Sequence, residues 1–285
     1  MKTSNLESVS LNDILFDVEM RDNPRVTNPE YSKVVTGIID GQEIDLNYCS
    51  PRYELVPNTE IFPVVRQILV NHNIQFTENY YSLNNARFYA EYVIEDQRFS
   101  YKIGGSNGDI VKPMLRVQHS YNGLTKYMIN FGYYRMVCSN GLVIPIDEMK
   151  EYNMYVTGKH TQSIKRSLEK LSNTITYFAE NAAQITSAIT AKYDELAGNE
   201  VTNVDDRIKE VLNAAKINIR ENNKFNTLDY IKNRISGEID LYGGRTNDWL
   251  IYNAVNQYIH DDSLNVKTPE VRKELDSKVF EYMLS

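Results

Sequence analysis

The chain of 285 residues is long enough for one large domain or two ordinary ones, and its 42% hydrophobic and 24% charged residues exclude wholesale disorder. A formal net charge of −7 excludes a uniformly basic nucleic-acid binder but leaves room for a local basic patch. No 18-residue apolar run occurs, so no membrane span is expected.

The N-terminal stretch MKTSNLESVSLNDILFDVEM is too acidic and interrupted for a signal peptide, which points to a cytoplasmic protein. Residues 1–47 read as an N-terminal extension, 48–155 as a sheet-rich subdomain, and 156–285 as a helical one. The early segment NTEIFPVVRQILVNHN is the one clear helix of the first half, with Asn58 or Thr59 as cap and Pro63 in or near its first turn. Short alternating runs broken by Gly, Pro and Asn make up most of the rest of that half.

Residues 98–135 hold Arg98, Lys102, Lys112, Arg116, Lys126 and Arg135 against the single acid Asp109, a local +5 in an acidic chain. RFSYKI and VKPMLRV flank GGSNGD, a hairpin signal. Centring it on Asn107 sets Phe99, Tyr101 and Ile103 opposite Leu115, Pro113 and Val111. The other side then sets Lys102 opposite Lys112 and Arg98 opposite Arg116. Like charges directly opposite cost roughly 0.2–1 kcal/mol per pair. Two readings account for them: nearby carboxylates such as Glu91 or Glu95 neutralise the face, or the face meets a polyphosphate. On the second reading Tyr121, Tyr127, Tyr133 and Tyr134 offer stacking surfaces for unpaired bases.

Beyond residue 155 the period becomes helical. Over 159–197 the residues Ile164, Leu168, Leu171, Ile175, Phe178, Ala182, Ile185 and Ile189 recur in steps of four and three, a heptad seam with small or polar flanks. Such a seam packs either against the later helices or against a second copy, so a homo-oligomer through the 159–197 helix stays open. Later helices are expected near 204–220, 226–236, 246–260 and 268–284. Gly243-Gly244 ends one, Thr246 or Asn247 caps the next, and Thr268-Pro269 opens the last.

Cys49 and Cys138 form no CxxC or Cys/His cluster and the four histidines are scattered, so no metal or other cofactor is expected. Asp205-Asp206 and Asp261-Asp262 can ligate Mg²⁺, but helix-end electrostatics and solvation explain them equally well. No Ser/His/Asp order, Rossmann fingerprint or HExxH appears, and catalysis is not the favoured reading.

YELVPNTEIFPVVRQIL, MLRVQHSYNGLTKYMINFGYYRMVCSNGLVI and WLIYNAVNQYIHDD, in that order over about residues 48–262, resemble a phage- and plasmid-like family known as domain of unknown function 932. The resemblance implies a short strand at Tyr53–Pro57, an Arg-x-x-Cys-x-Asn core at Arg135, Cys138 and Asn140 leading into Gly141, and a late Asn253-Ala254-Val255 segment, all structural in character. QHSYNG stands where the family order would place an acid. The resemblance implies a phage or mobile-element setting and carries over no activity.

Cys138 falls on the strand parity of Tyr134 and Met136, opposite Arg135, and reads as an apolar filler rather than a nucleophile. The expected fold is α+β: an N-terminal antiparallel or mixed sheet with one early helix and a basic hairpin, followed by a mostly helical region with one long helix. The expected function is binding of nucleic acid, single-stranded DNA favoured, at Arg98, Lys102, Lys112, Arg116, Lys126, Tyr121 and Tyr127. By architecture this is comparable to the annealing proteins of phage recombination. The competing readings are a structural component that assembles through the long helix and a metal nuclease.

Overall fold

Alternation along Arg87–Ile94 and Ile110–Ser120 sends successive side chains to opposite faces of a sheet, and burial follows it except at Val93, Met114 and Ser120, which are buried on the second face. The computed structural model describes residues 7–104, 109–135, 141–143, 155–158, 164–222, 224–261 and 269–285. Its strands are β1 Glu7–Val9, β2 Val18–Asp22, β3 Lys33–Ile39, β4 Gln42–Cys49, β5 Phe76–Leu83, β6 Arg87–Ile94, β7 Tyr101–Lys102, β8 Ile110–Ser120, β9 Tyr127–Arg135, β10 Gly141–Val143, β11 Tyr155–Gly158, β12 Glu221–Asn222 and β13 Phe225–Asn226. The helices are α1 Leu11–Ile14, α2 Phe62–Asn71, α3 Ile164–Gly198, α4 Val204–Ala214, α5 Thr227–Tyr242, α6 Asp248–His260 and α7 Pro269–Met283. The fold class is α+β, with antiparallel sheets in the N-terminal half and helices after them. No described helix is long and apolar enough to cross a membrane.

The chain divides into two units that alternate along the sequence. The first comprises 1–96, 114–131 and 149–182, and the second 97–113, 132–148 and 183–285. Residues 1–47 are no appendage, because β1 pairs with β5 in the main sheet of the first unit.

In the first unit β1, β5, β6, residues 114–120 of β8 and residues 127–131 of β9 lie side by side in an antiparallel sheet, with β11 on β9. Tyr80, Phe88, Ala90, Tyr92, Leu115, Val117 and His119 form its buried face. Helix α2 covers part of it: Phe62 meets Tyr80 edge-on at 6.1 Å, and the Tyr92 hydroxyl donates to the Phe62 carbonyl at 3.2 Å. Pro63 sits at the start of α2 as expected, but Asn58 does not cap it. Asn58 is buried instead, donating to the Ile14 carbonyl at 2.8 Å and accepting from His119 Nδ1 at 2.9 Å. Residues 51–57 form no strand; Tyr53 hydrogen-bonds the Ser120 and Tyr121 carbonyls. A separate β2–β3–β4 sheet closes through the two-residue turn Asp40-Gly41, where both residues take the positive φ that a type I′ turn requires.

In the second unit, Tyr193 of α3 anchors an aromatic cluster with Trp249 (ring centroids 5.0 Å apart), Phe280 (5.6 Å) and Tyr133 (5.8 Å). Asn203, Asn226 and Asn247 cap α4, α5 and α6, and Gly243 at φ 71° ends α5.

The heptad seam of α3 is present and buried within the chain: Ile175, Phe178, Ile185, Ile189, Tyr193 and Leu196 all face inward. Phe178 stacks on Phe131 at 4.4 Å. Its exposed positions include the polar Lys170, Asn173, Glu180, Gln184, Ser187 and Glu195 together with Tyr177, Ala183 and Ala191. The side chains of Ile164, Leu168, Leu171 and Ala182 lie outside the described residues.

Candidate functional site

The basic segment does not form the face of opposed cations. Tyr101 pairs with Val111 and Lys102 with Ile110, two residues from the expected register, and Gln97–Phe99 is a 3₁₀ turn instead of a strand. A two-residue shift preserves side-chain parity, so Tyr101, Ile103 and Val111 still share the inner face. Lys102 and Lys112 become diagonal neighbours, and Arg98 lies exposed on the turn, its guanidinium 5.1 Å from the Phe99 ring centre. Arg116 sits directly opposite Glu91 on β6 and bonds it at 2.9 Å, which is the neutralised reading. Lys126 is exposed at the foot of β9.

The stacking tyrosines need correction as well. Tyr121 and Tyr127 have no exposed surface and Tyr133 almost none, so no ring among them offers a face to a base. Burial drives all three hydroxyls well above the ordinary tyrosine pKa. Tyr121 is held because its oxygen accepts the Asn58 amide at 2.8 Å while its ring packs on Phe88 at 5.1 Å.

A different pair of tyrosines lies where solvent reaches. On the second face of the first unit's sheet, Thr77 and Asn79 are exposed, and Tyr81, Arg87, Tyr89, Glu91, Arg116 and Gln118 are half-buried. Tyr81 is directly opposite Tyr89, and Tyr89 directly opposite Gln118, so these three form a row across β5, β6 and β8. The next row is Asn79, Glu91 and Arg116. Centring the β5–β6 hairpin on Asn85 in FTENYYSLNNARFYAEYVI would have paired Tyr81 with Tyr89, so a signal was available.

Arg135 belongs to the second unit. It lies on the same parity as Tyr127, Ile129, Phe131 and Tyr133, the inner face of β9, and is buried. Its Nε donates to Asp109 at 2.8–2.9 Å, and its Nη1 and Nη2 donate to the two Glu238 oxygens at 2.9 and 2.6 Å. Trp249 Nε1 donates to Asp109 at 2.6 Å, and the guanidinium lies 5.6 Å from the Trp249 ring centre. Burial opposes the arginine's charge most strongly, yet the hydrogen bonds and charges of Glu238 and Asp109 together hold it above its ordinary pKa. One turn along α6, Asn253 donates to the Trp249 carbonyl at 2.6 Å, and Ala254 is buried beside it.

A family model described as Domain of unknown function (DUF932) matches residues 45–279. The chain belongs to this family. The match exceeds the 48–262 anticipated and runs through both units. No curated protein and no solved structure matches the chain. Of the motif residues, Arg135 lies in the buried cluster and Asn253 and Ala254 are buried on α6 just beyond Trp249, whereas Cys138 and Asn140 lie outside the described residues. Gly141 pairs with Tyr134 where β10 joins β9.

The candidate acids separate. Asp205 binds Lys232, with which it forms a 3.1 Å ion pair, and Asp206 donates its backbone amide to the Asn203 cap. Asp261 accepts from the Tyr230 hydroxyl at 2.8 Å; Asp262 lies outside the described residues. Among the described residues, no group of three or more His, Cys, Asp or Glu side chains could hold a metal ion.

Proposed function

We propose that the chain binds single-stranded nucleic acid, DNA in particular, on the solvent-facing side of the first unit's sheet. The supporting observation is the Tyr81–Tyr89 pair, directly opposed across β5 and β6 and half-exposed, on a sheet whose other face is sealed by core. Adjacent tyrosines on an antiparallel sheet give successive bases a platform that tolerates any sequence. Arg87 lies two residues from Tyr89 on β6 and Lys126 is exposed beyond β8, giving cations for the backbone, while Arg116 on the same face is paired with Glu91. Gln118 in the same row can hydrogen-bond a base edge. The reading keeps the nucleic-acid ligand and moves it from the buried Tyr121 and Tyr127 to this face. The setting is phage or plasmid DNA, as the family resemblance implies.

Fluorescence anisotropy with a labelled twenty-residue oligothymidylate across a salt series tests it. Tight binding at low salt that weakens with added salt is expected. Tyr81→Ala with Tyr89→Ala removes ~1–3 kcal/mol per stacked base, so at least a tenfold loss of affinity. Tyr127→Phe, inside the core, leaves binding unchanged. Absence of any shift at low salt, or a double variant that binds like the wild type, defeats the proposal.

A further inference from the structure

Leu124 is 73% exposed, the most open large apolar side chain among the described residues. Single exposed apolar residues are ordinary on protein surfaces, so exposure alone carries little. Here the turn that presents the side chain is fixed from several sides. Ser120 Oγ donates to the Thr125 carbonyl at 2.7 Å and accepts the Thr125 amide at 3.2 Å. Asn122 Oδ1 accepts the Leu124 amide at 3.1 Å, and Gly123 takes the left-handed φ of 67° that the turn needs. Tyr53 donates to the Tyr121 carbonyl at 2.9 Å, and Tyr121 itself is locked in the core. Thr125, the next residue, is buried. A leucine held outward by a braced turn forgoes burial without gaining the mobility of a loose loop.

Position supplies the second observation. The turn joins β8 to β9 immediately beyond the Arg87–Ser120 pair, and Gln118 Nε2 reaches across to the Lys126 carbonyl at 3.3 Å. Leu124 lies six residues beyond Gln118, the β8 member of the Tyr81–Tyr89–Gln118 row. Lys126, exposed, follows directly.

We infer that Leu124 is an apolar wedge that inserts between neighbouring bases of the strand lying on the sheet, with Lys126 contacting phosphate beside it. This rests on the open-face reading above. Apolar side chains that enter base steps are a recurrent way of unstacking nucleic acid, and a rigid turn is what such a wedge requires.

The test uses the full chain and the same labelled oligothymidylate, with Leu124→Ser, Leu124→Phe and Lys126→Gln. Leu124→Ser binds about tenfold more weakly with an unchanged salt slope, because no charge is lost, while Leu124→Phe binds like the wild type. Lys126→Gln lowers the salt slope by about 0.7, the share of one phosphate contact on a single strand. Leu124→Ser keeps the wild-type melting temperature, since it removes only exposed surface. If Leu124→Ser binds like the wild type while Tyr81→Ala/Tyr89→Ala does not, the wedge is overturned and the platform stands. If the wild type itself does not bind, both fall together.

Discussion

Replacing Arg135 with methionine leaves Asp109 and Glu238 in the core without the guanidinium that bonds both of them. The three named charges sum to −1, and the substitution takes them to −2 at nearly constant side-chain volume. Removing one partner from a buried ion pair costs about 3–5 kcal/mol, a large part of the ~5–15 kcal/mol that holds a domain folded. Glu238→Gln perturbs the same cluster in the opposite sense. It leaves Arg135 and Asp109 as a one-to-one pair and keeps an amide oxygen facing the guanidinium, so it costs about 1–2 kcal/mol. Trp249 is the sole tryptophan, is buried, and donates to Asp109, so its fluorescence reports this cluster directly. In urea titrations followed by that signal, with a slope of about 3 kcal/mol/M, Arg135→Met lowers the midpoint by about 1–1.7 M. Glu238→Gln lowers it by less than half as much. Equal shifts for the two variants, or an Arg135→Met variant within about 1 kcal/mol of wild type, would refute the view that an uncompensated buried charge sets the cost.

Two further outcomes follow from the buried polar groups. Asn58→Leu strands the Ile14 carbonyl and the His119 Nδ1 proton in the core, which costs about 2–4 kcal/mol; a thermal melt unchanged from wild type would contradict it. Burial raises the hydroxyl of Tyr80 to about 12 and drives those of Tyr53, Tyr121, Tyr127 and Tyr133 higher still. A raised folded-state pKa means stability is intact below pH 10 and falls above it, by about 1.4 kcal/mol per pH unit for each tyrosine that must ionise. Tyrosinate absorbance and circular dichroism recorded together therefore show cooperative alkaline unfolding between pH 10 and 12; complete ionisation near pH 10 with the fold intact would rule it out.

How much of this was legible in the sequence depends on the range of the interaction. The inner face of β8, the buried seam of α3 and the Asn247 cap follow from periods of two and 3.6, which are local. The hairpin register was not local. It answers to β6, where Glu91 opposes Arg116, and the turn at Gln97–Phe99 leaves only a two-residue arm to pair with β8. Tyrosine is equally suited to core and surface, so the burial of Tyr121 was settled by the Asn58 amide, 63 residues away. Arg135 stood out as a motif residue, but its partners lie 26 and 103 residues from it, and no pattern in the sequence joins them.

That last separation has a consequence for synthesis. The antiparallel neighbours β5, β6, β8 and β9 emerge from the ribosome in succession and can pair as they appear. Arg135 and Asp109 must wait for Glu238, made 103 residues after Arg135, which at ~5–20 residues per second takes about 5–20 s. During that interval a finished sheet is attached to a nascent segment that carries a charged pair meant for an interior that does not yet exist, and this is the stage at which a chaperone would find the chain.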